Sequence, residues 1–129
     1  MQSKPQIITF PAIADARGDL SFANFEAHIP FKVKRTYWIG KMPEGQERGG
    51  HAHKTDIQLI LCLQGSAQVW LESLKGEALE FELKNPNQGL LIPPMWWGRM
   101  VFKDKAILLG FSSNEFSESD YIRVKSEFK

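Results

Sequence analysis

The chain has 129 residues, 43% of them hydrophobic and 24% charged, with 16 basic against 15 acidic side chains for a net charge of +1. That length suits one domain, and the composition suits a soluble globular fold with a real core. The balance leaves no basic excess for nucleic acid or an anionic membrane. A single cysteine, Cys62, rules out an intrachain disulfide. It lies in an apolar run, where it is expected as a small buried hydrophobe. The opening segment MQSKPQIITFP lacks the long apolar region of a secretion signal. No segment approaches the ~20 apolar residues of a membrane span. A cytoplasmic location is therefore expected.

Helical periodicity is nearly absent. Short alternating or fully apolar runs recur, each closed by a turn signal. Residues 6–10 form a candidate strand ended by Pro11, and residues 14–18 a polar turn. Residues 20–26 alternate, with Leu20 and Phe22 against Ser21 and Ala23. Residues 33–39 are rich in β-branched and aromatic types. Residues 42–50 carry Pro43, Gly45, Gly49 and Gly50 and are expected as a loop. Residues 57–63 are apolar on both faces, as in a central sandwich strand. Residues 66–72 and 77–83 alternate as a hairpin, with Gly76 free to take the positive φ of its turn. Residues 85–89 make another turn, and residues 89–92 and 105–111 complete the strands. The tail from Ser117 is suited to one short helix. Many short strands with no helices between them predict an all-β sandwich or jelly-roll barrel in one domain.

The informative stretch reads Gly45, five residues, His51-Ala52-His53, four residues, Gln58, six residues, Gly65. It resembles the first signature of the cupin superfamily, with Gln58 in place of the glutamate. Of the second signature, Gly89 and Pro93-Pro94 are present, but Met95-Trp96-Trp97-Gly98-Arg99 stands where its histidine belongs. In a strand, residues two apart share a face, so His51 and His53 project together and Ala52 away. Gln58 can line the same cavity from a neighbouring strand. A neutral amide replaces a carboxylate poorly on a hard or borderline cation. Two histidines also fall short of the three or four ligands of a catalytic metal. No metal or other cofactor is expected. His28, the one other histidine, precedes Ile29-Pro30 in a turn-like segment. Two readings of the pair stand side by side. One is a pair of satisfied structural histidines. The other is an acid–base pair, because an imidazole with a pKa near ~6.5 both takes and gives a proton at neutral pH.

A longer ordered set narrows this. Arg17-Gly18-Asp19-Leu20-Ser21-Phe22, Pro30-Phe31, Lys34-Arg35-Thr36-Tyr37, Arg48-Gly49-Gly50-His51-Ala52-His53, Gln58, Gly65, Gly89-Leu90, Ile92-Pro93-Pro94-Met95, Trp97 and Asp120-Tyr121-Ile122-Arg123 follow one another along the chain. Together they resemble the sugar 3,4-ketoisomerase family, called WxcM-like or FdtA/QdtA. The resemblance implies a metal-free cupin jelly roll that forms a homodimer by exchanging N-terminal strands. It implies conversion of dTDP-4-keto-6-deoxyglucose to its 3-keto isomer, for surface polysaccharides. One of His51 and His53 would carry the C3 proton through an enediol, with Tyr37 near the sugar. Arg35, Arg48 and Arg17 are the candidates for the diphosphate, which suits guanidinium geometry. Gln58 is a candidate for the cavity and Trp97 for its mouth.

The departure lies after Trp97, where the resemblance implies a polar side chain reaching the sugar. This chain has Gly98, then Arg99. A one-residue step reverses the face of a strand, so Arg99 substitutes only if a bulge re-aims it. Trp38 is a smaller departure, standing where a tyrosine-like residue is expected. Two alternatives stay open: a non-catalytic nucleotide-sugar-binding cupin, and a related nucleotide-sugar 3,5-epimerase.

Overall fold

The computed structural model describes residues 4–129. Its strands are β1 (Gln6–Thr9), β2 (Ala12–Asp15), β3 (Gly18–Ser21), β4 (Arg35–Ile39), β5 (Glu47–His53), β6 (Gln58–Ser73), β7 (Ala78–Leu83), β8 (Gln88–Ile92), β9 (Trp96–Ser112) and β10 (Tyr121–Ile122). One short helix, α1 (Phe25–His28), and 3-10 turns at Glu118–Asp120 and Lys125–Glu127 interrupt them. Among the described residues, no helix is long and apolar enough to cross a membrane.

The fold hangs on β6 and β9, which pair antiparallel from Gln58↔Ser112 to Ser73↔Trp96. Both bend midway. The register slips between Cys62 and Gln64 and again between Gln64 and Ser66. Opposite this, Asp104 and Lys105 take φ of 61° and 55°. Gly65 sits at the bend with φ +71°, and a Cβ on it would lie 2.6 Å from the Asp104 carbonyl oxygen. The bend lets the same two strands serve two layers. One layer runs β1-β8-β6-β9-β4, and the other runs β7-β6-β9-β5-β10.

Alternation then fills both faces. Ile60, Cys62, Val69, Leu71, Leu90, Phe102 and Leu108 form the core between the layers. Leu59, Leu61 and Leu91 point the other way and pack with Phe10 and Ile29. Phe31 and Val33, on the segment after α1, pack against this second core. Residues 57–63 are apolar on both faces because each face has its own core.

The structure redraws several expected boundaries. The turn at 14–18 is a hairpin, β2–β3, whose tip is closed by the Arg17 N–H donating to Asp15 Oδ1 at 2.8 Å. Residues 20–26 are not one strand, because β3 ends at Ser21 and α1 follows. The expected loop at 42–50 becomes β5 from Glu47 onward. The runs 57–63 and 66–72 join through Gly65 into β6, and β9 begins as early as Trp96. For β5, β6 and β9, pairing with a long partner overrides the local turn signal.

Gly65→Ala should destabilise the protein by at least about 2 kcal/mol, from left-handed strain plus overpacking against the β9 backbone. Urea unfolding midpoints test this. A loss under about 0.5 kcal/mol, the level of an ordinary surface change, would show that the bend does not need glycine.

Candidate active site

Strand register builds one wall of the site. Arg35 of β4, Ser112 of β9 and Gln58 of β6 stand in one row, and Tyr37, Gly110 and Ile60 in the next. These residues are two apart on each strand, so both rows face inward. A Cβ on Gly110 would lie 2.6 Å from the Tyr37 hydroxyl oxygen, so glycine is what lets the phenol lie across β9.

The other wall is β5, and a bulge sets its face. Arg48 pairs with Met100 and Gly49 with Arg99, yet His51 pairs with Gly98, which leaves Gly50 as the extra residue. Positions 48 and 51 would face opposite sides of a regular strand. The bulge brings both to the inward side of Met100 and Gly98. Gly49 and Gly50 take φ of +101° and +74°, and a Cβ on Gly49 would meet the Gly98 carbonyl oxygen at 2.8 Å. β10 lays Tyr121 beside His53 in register. The Tyr121 ring centre is 4.4 Å from that of His53 and 5.0 Å from that of His51, and the two imidazoles are 5.0 Å apart.

Between the walls lies a cavity of about 700 Å3, bordered by Arg35, Tyr37, Arg48, His51, Gln58 and Arg123 among others. His53 does not border it. His53 faces a smaller cavity of about 40 Å3, which His51 and Gln58 also border.

A buried polar network fixes these side chains. Gln58 Oε1 accepts from the Tyr37 hydroxyl at 2.8 Å, and Gln58 Nε2 donates to Asp56 Oδ2 at 3.2 Å. The same amide nitrogen lies 3.1 Å from His53 Nε2. An amide nitrogen only donates, so His53 Nε2 is the acceptor and its proton sits on Nδ1. His53 Nδ1 lies 3.4 Å from Asp120 Oδ2, within ion-pair range but without a formed hydrogen bond. Asp120 is held by Thr55, whose N–H and hydroxyl donate to Oδ1 at 2.9 and 2.7 Å, and by the Asp56 N–H, which donates to Oδ2 at 3.2 Å. Asp56 accepts from Arg35 at 3.3 Å on Oδ2, and from the Ser113 hydroxyl and Asn114 N–H on Oδ1, each at 3.1 Å.

Burial governs the protonation states. It pushes His51 down to about 4, helped by His53, which would repel a second imidazolium, and by the charges of Arg123 and Arg48. Burial also lowers His53, although Asp56 and Asp120 pull the other way. Both rings are neutral at pH 7. Burial raises Tyr37 well above the usual phenol range, with Tyr121 adding to the effect, so Tyr37 stays a hydroxyl donor. Burial opposes ionisation of Asp120, but its bonds from Thr55 and Asp56 win and hold its carboxyl below the ordinary range.

His53, Asp56 and Asp120 each offer a ligand atom within 4.8 Å of the others. Their oxygens already accept from N–H and O–H donors, and the Arg35 guanidinium already sits on Asp56. The donor set does not fit a further cation beside that arginine.

The structure brings together His51, His53, Tyr37, Gln58, Arg35 and Arg48. It places three other expected residues elsewhere. Arg17 is at the hairpin tip, paired with Asp15 at 2.8 Å and 90% exposed. Trp97 turns outward against Phe128, with ring centres 5.8 Å apart, and Lys125 lies over it. The Arg99 guanidinium turns outward as well, 4.2 Å over the Trp70 ring and 3.4 Å from Glu47, although the residue borders the smaller cavity. The bulge is on β5 and not on β9, so nothing re-aims Arg99 inward. Trp38 is at the cavity rim, 71% exposed.

Sequence reasoning assigned no role to four residues that complete the site: Asp56, Asp120, Tyr121 and Arg123. The last three fall in a motif that carried the family resemblance. Asp56 follows His53 by three residues, with no pattern to mark it.

Comparison with known proteins agrees with this geometry. A family model described as WxcM-like, C-terminal (FdtA) matches residues 3–129. A TDP-4-oxo-6-deoxy-alpha-D-glucose-3,4-oxoisomerase of Aneurinibacillus thermoaerophilus is 36% identical over 126 residues, 96% of this chain and 89% of that protein. A mutant of the 3,4-ketoisomerase QdtA from Thermoanaerobacterium thermosaccharolyticum, solved with TDP-4-keto-6-deoxyglucose, superposes with a TM-score of 0.90 at 34% identity, covering 99% of this chain and 93% of that one. The WlaRB TDP-quinovose 3,4-ketoisomerase of Campylobacter jejuni gives a TM-score of 0.90 at 32% identity, covering 98% of each chain. The matched model spans nearly the whole chain, and His51, Gln58 and Tyr37 converge on one cavity with His53 held against Gln58 beside it: the chain belongs to the WxcM-like sugar 3,4-ketoisomerase family.

Proposed function

We propose that the chain is a metal-independent 3,4-ketoisomerase of a dTDP-4-keto-6-deoxyhexose, acting as one domain over residues 1–129. The observation that carries this reading is the asymmetry of the histidine pair. His51 opens on a cavity large enough for a nucleotide sugar, while His53 is tied behind it.

His51 is then the base. It takes the C3 proton, the C3–H electron pair becomes the C3=C4 double bond, and the C4 carbonyl pair moves to O4. O4 takes a proton from solvent, giving the enediol. Tyr37, held as a hydroxyl, leaves Gln58 to donate to that oxygen. O3 then loses its proton to solvent as the C3 ketone forms, and His51, its proton exchanged with solvent, protonates C4. His53 orients His51 by ring contact, and Asp120 orients His53 through its Nδ1 proton. Arg48 and Arg123, at the cavity wall, are the cations for the diphosphate. Arg35 holds Asp56 and faces the same space.

Proton NMR in D2O with dTDP-4-keto-6-deoxyglucose tests this on chelator-treated protein. The expected product is the 3-ketone with deuterium at C4. His51→Asn should cut exchange by at least about 10²-fold, the scale of general base catalysis. Asp120→Asn should slow exchange and leave dTDP binding intact. Binding without exchange would favour the non-catalytic reading, and exchange in His51→Asn would remove His51 as base.

A pH experiment reads the same histidine. The unfolded chain protonates His51 near ~6.5, while the fold holds it at about 4. A depressed folded value means that this contribution to stability is present above the unfolded pKa and is lost as pH falls through about 4. Melting temperature should drop across that window, and His51→Asn should flatten the drop. An identical slope in the variant would contradict the burial of a neutral His51.

The dimer implied by the family resemblance has its support in the β2–β3 hairpin. Among the described residues its strands pair only with each other, and Ile13 and Leu20, opposite one another, are 56% and 60% exposed. A second copy covering that pair would remove apolar surface from water. Sedimentation should give twice the 14.7 kDa chain mass at micromolar concentration. A monomer there would refute the dimer. The expected setting is cytoplasmic deoxysugar synthesis for surface polysaccharides.

A further inference from the structure

Behind His51 and His53 the site continues into the cavity of about 40 Å3. Ile60, Val69, Leu71 and Ile92 give this recess a mainly apolar lining, and His51, His53 and Arg99 also border it. It joins the large cavity through His51, Gln58, Gly49 and Met100, which border both.

We propose that this recess seats the C6 methyl of a 6-deoxyhexose and is the element that selects a 6-deoxy sugar over one with a C6 hydroxyl. The inference rests on the ketoisomerase reading above and adds the specificity of the same site.

Size limits the occupant. A cavity that takes a benzene ring is about 150 Å3, so a recess of 40 Å3 suits a methyl-sized group and is too small for a ring. Chemistry limits it further. The aliphatic side chains of Ile60, Val69, Leu71 and Ile92 offer a hydroxyl no hydrogen bond. Gln58, on the rim, has its oxygen on Tyr37 and its amide protons on Asp56 and His53. A hydroxymethyl group would bury its hydroxyl among apolar walls, whereas a methyl gains from them.

Position completes the argument. C6 is bonded to C5, the neighbour of the C4 ketone. A methyl in the recess therefore brings C4 and C3 to its rim, where His51 stands. The rest of the sugar and the diphosphate then extend into the large cavity toward Arg48 and Arg123.

Gly98 has a place in this arrangement. It stands inward on β9, opposite His51, and a Cβ on it would lie 2.9 Å from Leu71 Cδ2. Leu71 would have to move, and the recess it lines would change shape. The missing side chain keeps the recess open.

The experiment compares binding of dTDP-6-deoxyglucose and dTDP-glucose by calorimetry, with dTDP alone as the control. The native protein should prefer the 6-deoxy sugar by between about 10- and 100-fold, the scale of one small group in an apolar pocket. Gly98→Ala, which crowds Leu71, and Val69→Ala, which widens the recess for a hydroxyl, should each bring the ratio below about fivefold with dTDP binding unchanged. Two variants of opposite sense keep the test decisive if one fails to fold. Equal binding of the two sugars by a protein that still exchanges deuterium would overturn the recess and leave the isomerase standing. A preference that neither variant reduces would also overturn it. Absence of both exchange and nucleotide-sugar binding would bring down the isomerase reading itself.

Discussion

The site depends on one buried carboxylate. Asp56 is 2% exposed and stands just before β6. It accepts from Arg35 of β4, from Gln58 of β6, and from Ser113 and Asn114 just beyond β9. Three strands of one layer are thereby tied at their shared end. Removing one partner of such a buried pair leaves an uncompensated charge, at a typical cost of about 3–5 kcal/mol. The network extends further than its ion pair. Gln58 has its second amide proton on Asp56, and this fixes which end of the amide faces Tyr37 and which faces His53. The tautomer of His53 and the direction of the Tyr37 hydroxyl both follow from that amide orientation.

This explains what an amide does where a metal cupin has a carboxylate. A glutamate at position 58 would have no donor for His53 Nε2 or for Asp56, and would set a second negative charge against Asp56. The amide bridges a phenol, an imidazole and a carboxylate at once. The two histidines can then stay neutral in a buried site without a cation between them. In the proposed complex, a diphosphate beside Arg48 and Arg123 would offset two of the charges that depress His51. Bound substrate would thus raise the affinity of its own base for a proton.

The architecture was legible in the sequence where pattern is local. Alternation in 66–72 and 77–83 marks the β6–β7 hairpin, and the doubly apolar run at 57–63 marks a strand between two cores. The histidine spacing marked the shared face of His51 and His53. What stayed hidden depends on distant pairing. Residues 96–104 carry no clean alternation, yet they form the first half of β9 because β6 and β5 flank them. Arg99 looked like a candidate until register placed it outside. Asp56 gave no signal and Asp120 stood in a motif without a role, because what they do comes from donors that folding brings together across more than fifty residues.

Register also decides the histidine face itself. His-x-His guarantees that two imidazoles agree with each other, but not that they agree with Arg48 or with Gln58. That agreement is made by the Gly49-Gly50 bulge, which inserts one residue opposite β9 and turns positions 48, 51 and 53 to one side. Sequence reading took those glycines as loop punctuation. Their positive φ values serve a different end, because a side chain at Gly49 would strike the β9 backbone that supplies Gly98. The bulge on β5 and the open position on β9 therefore form one device. Each glycine gives the facing strand its room, and together they leave His51 at the junction of a wide cavity and a narrow, mainly apolar one.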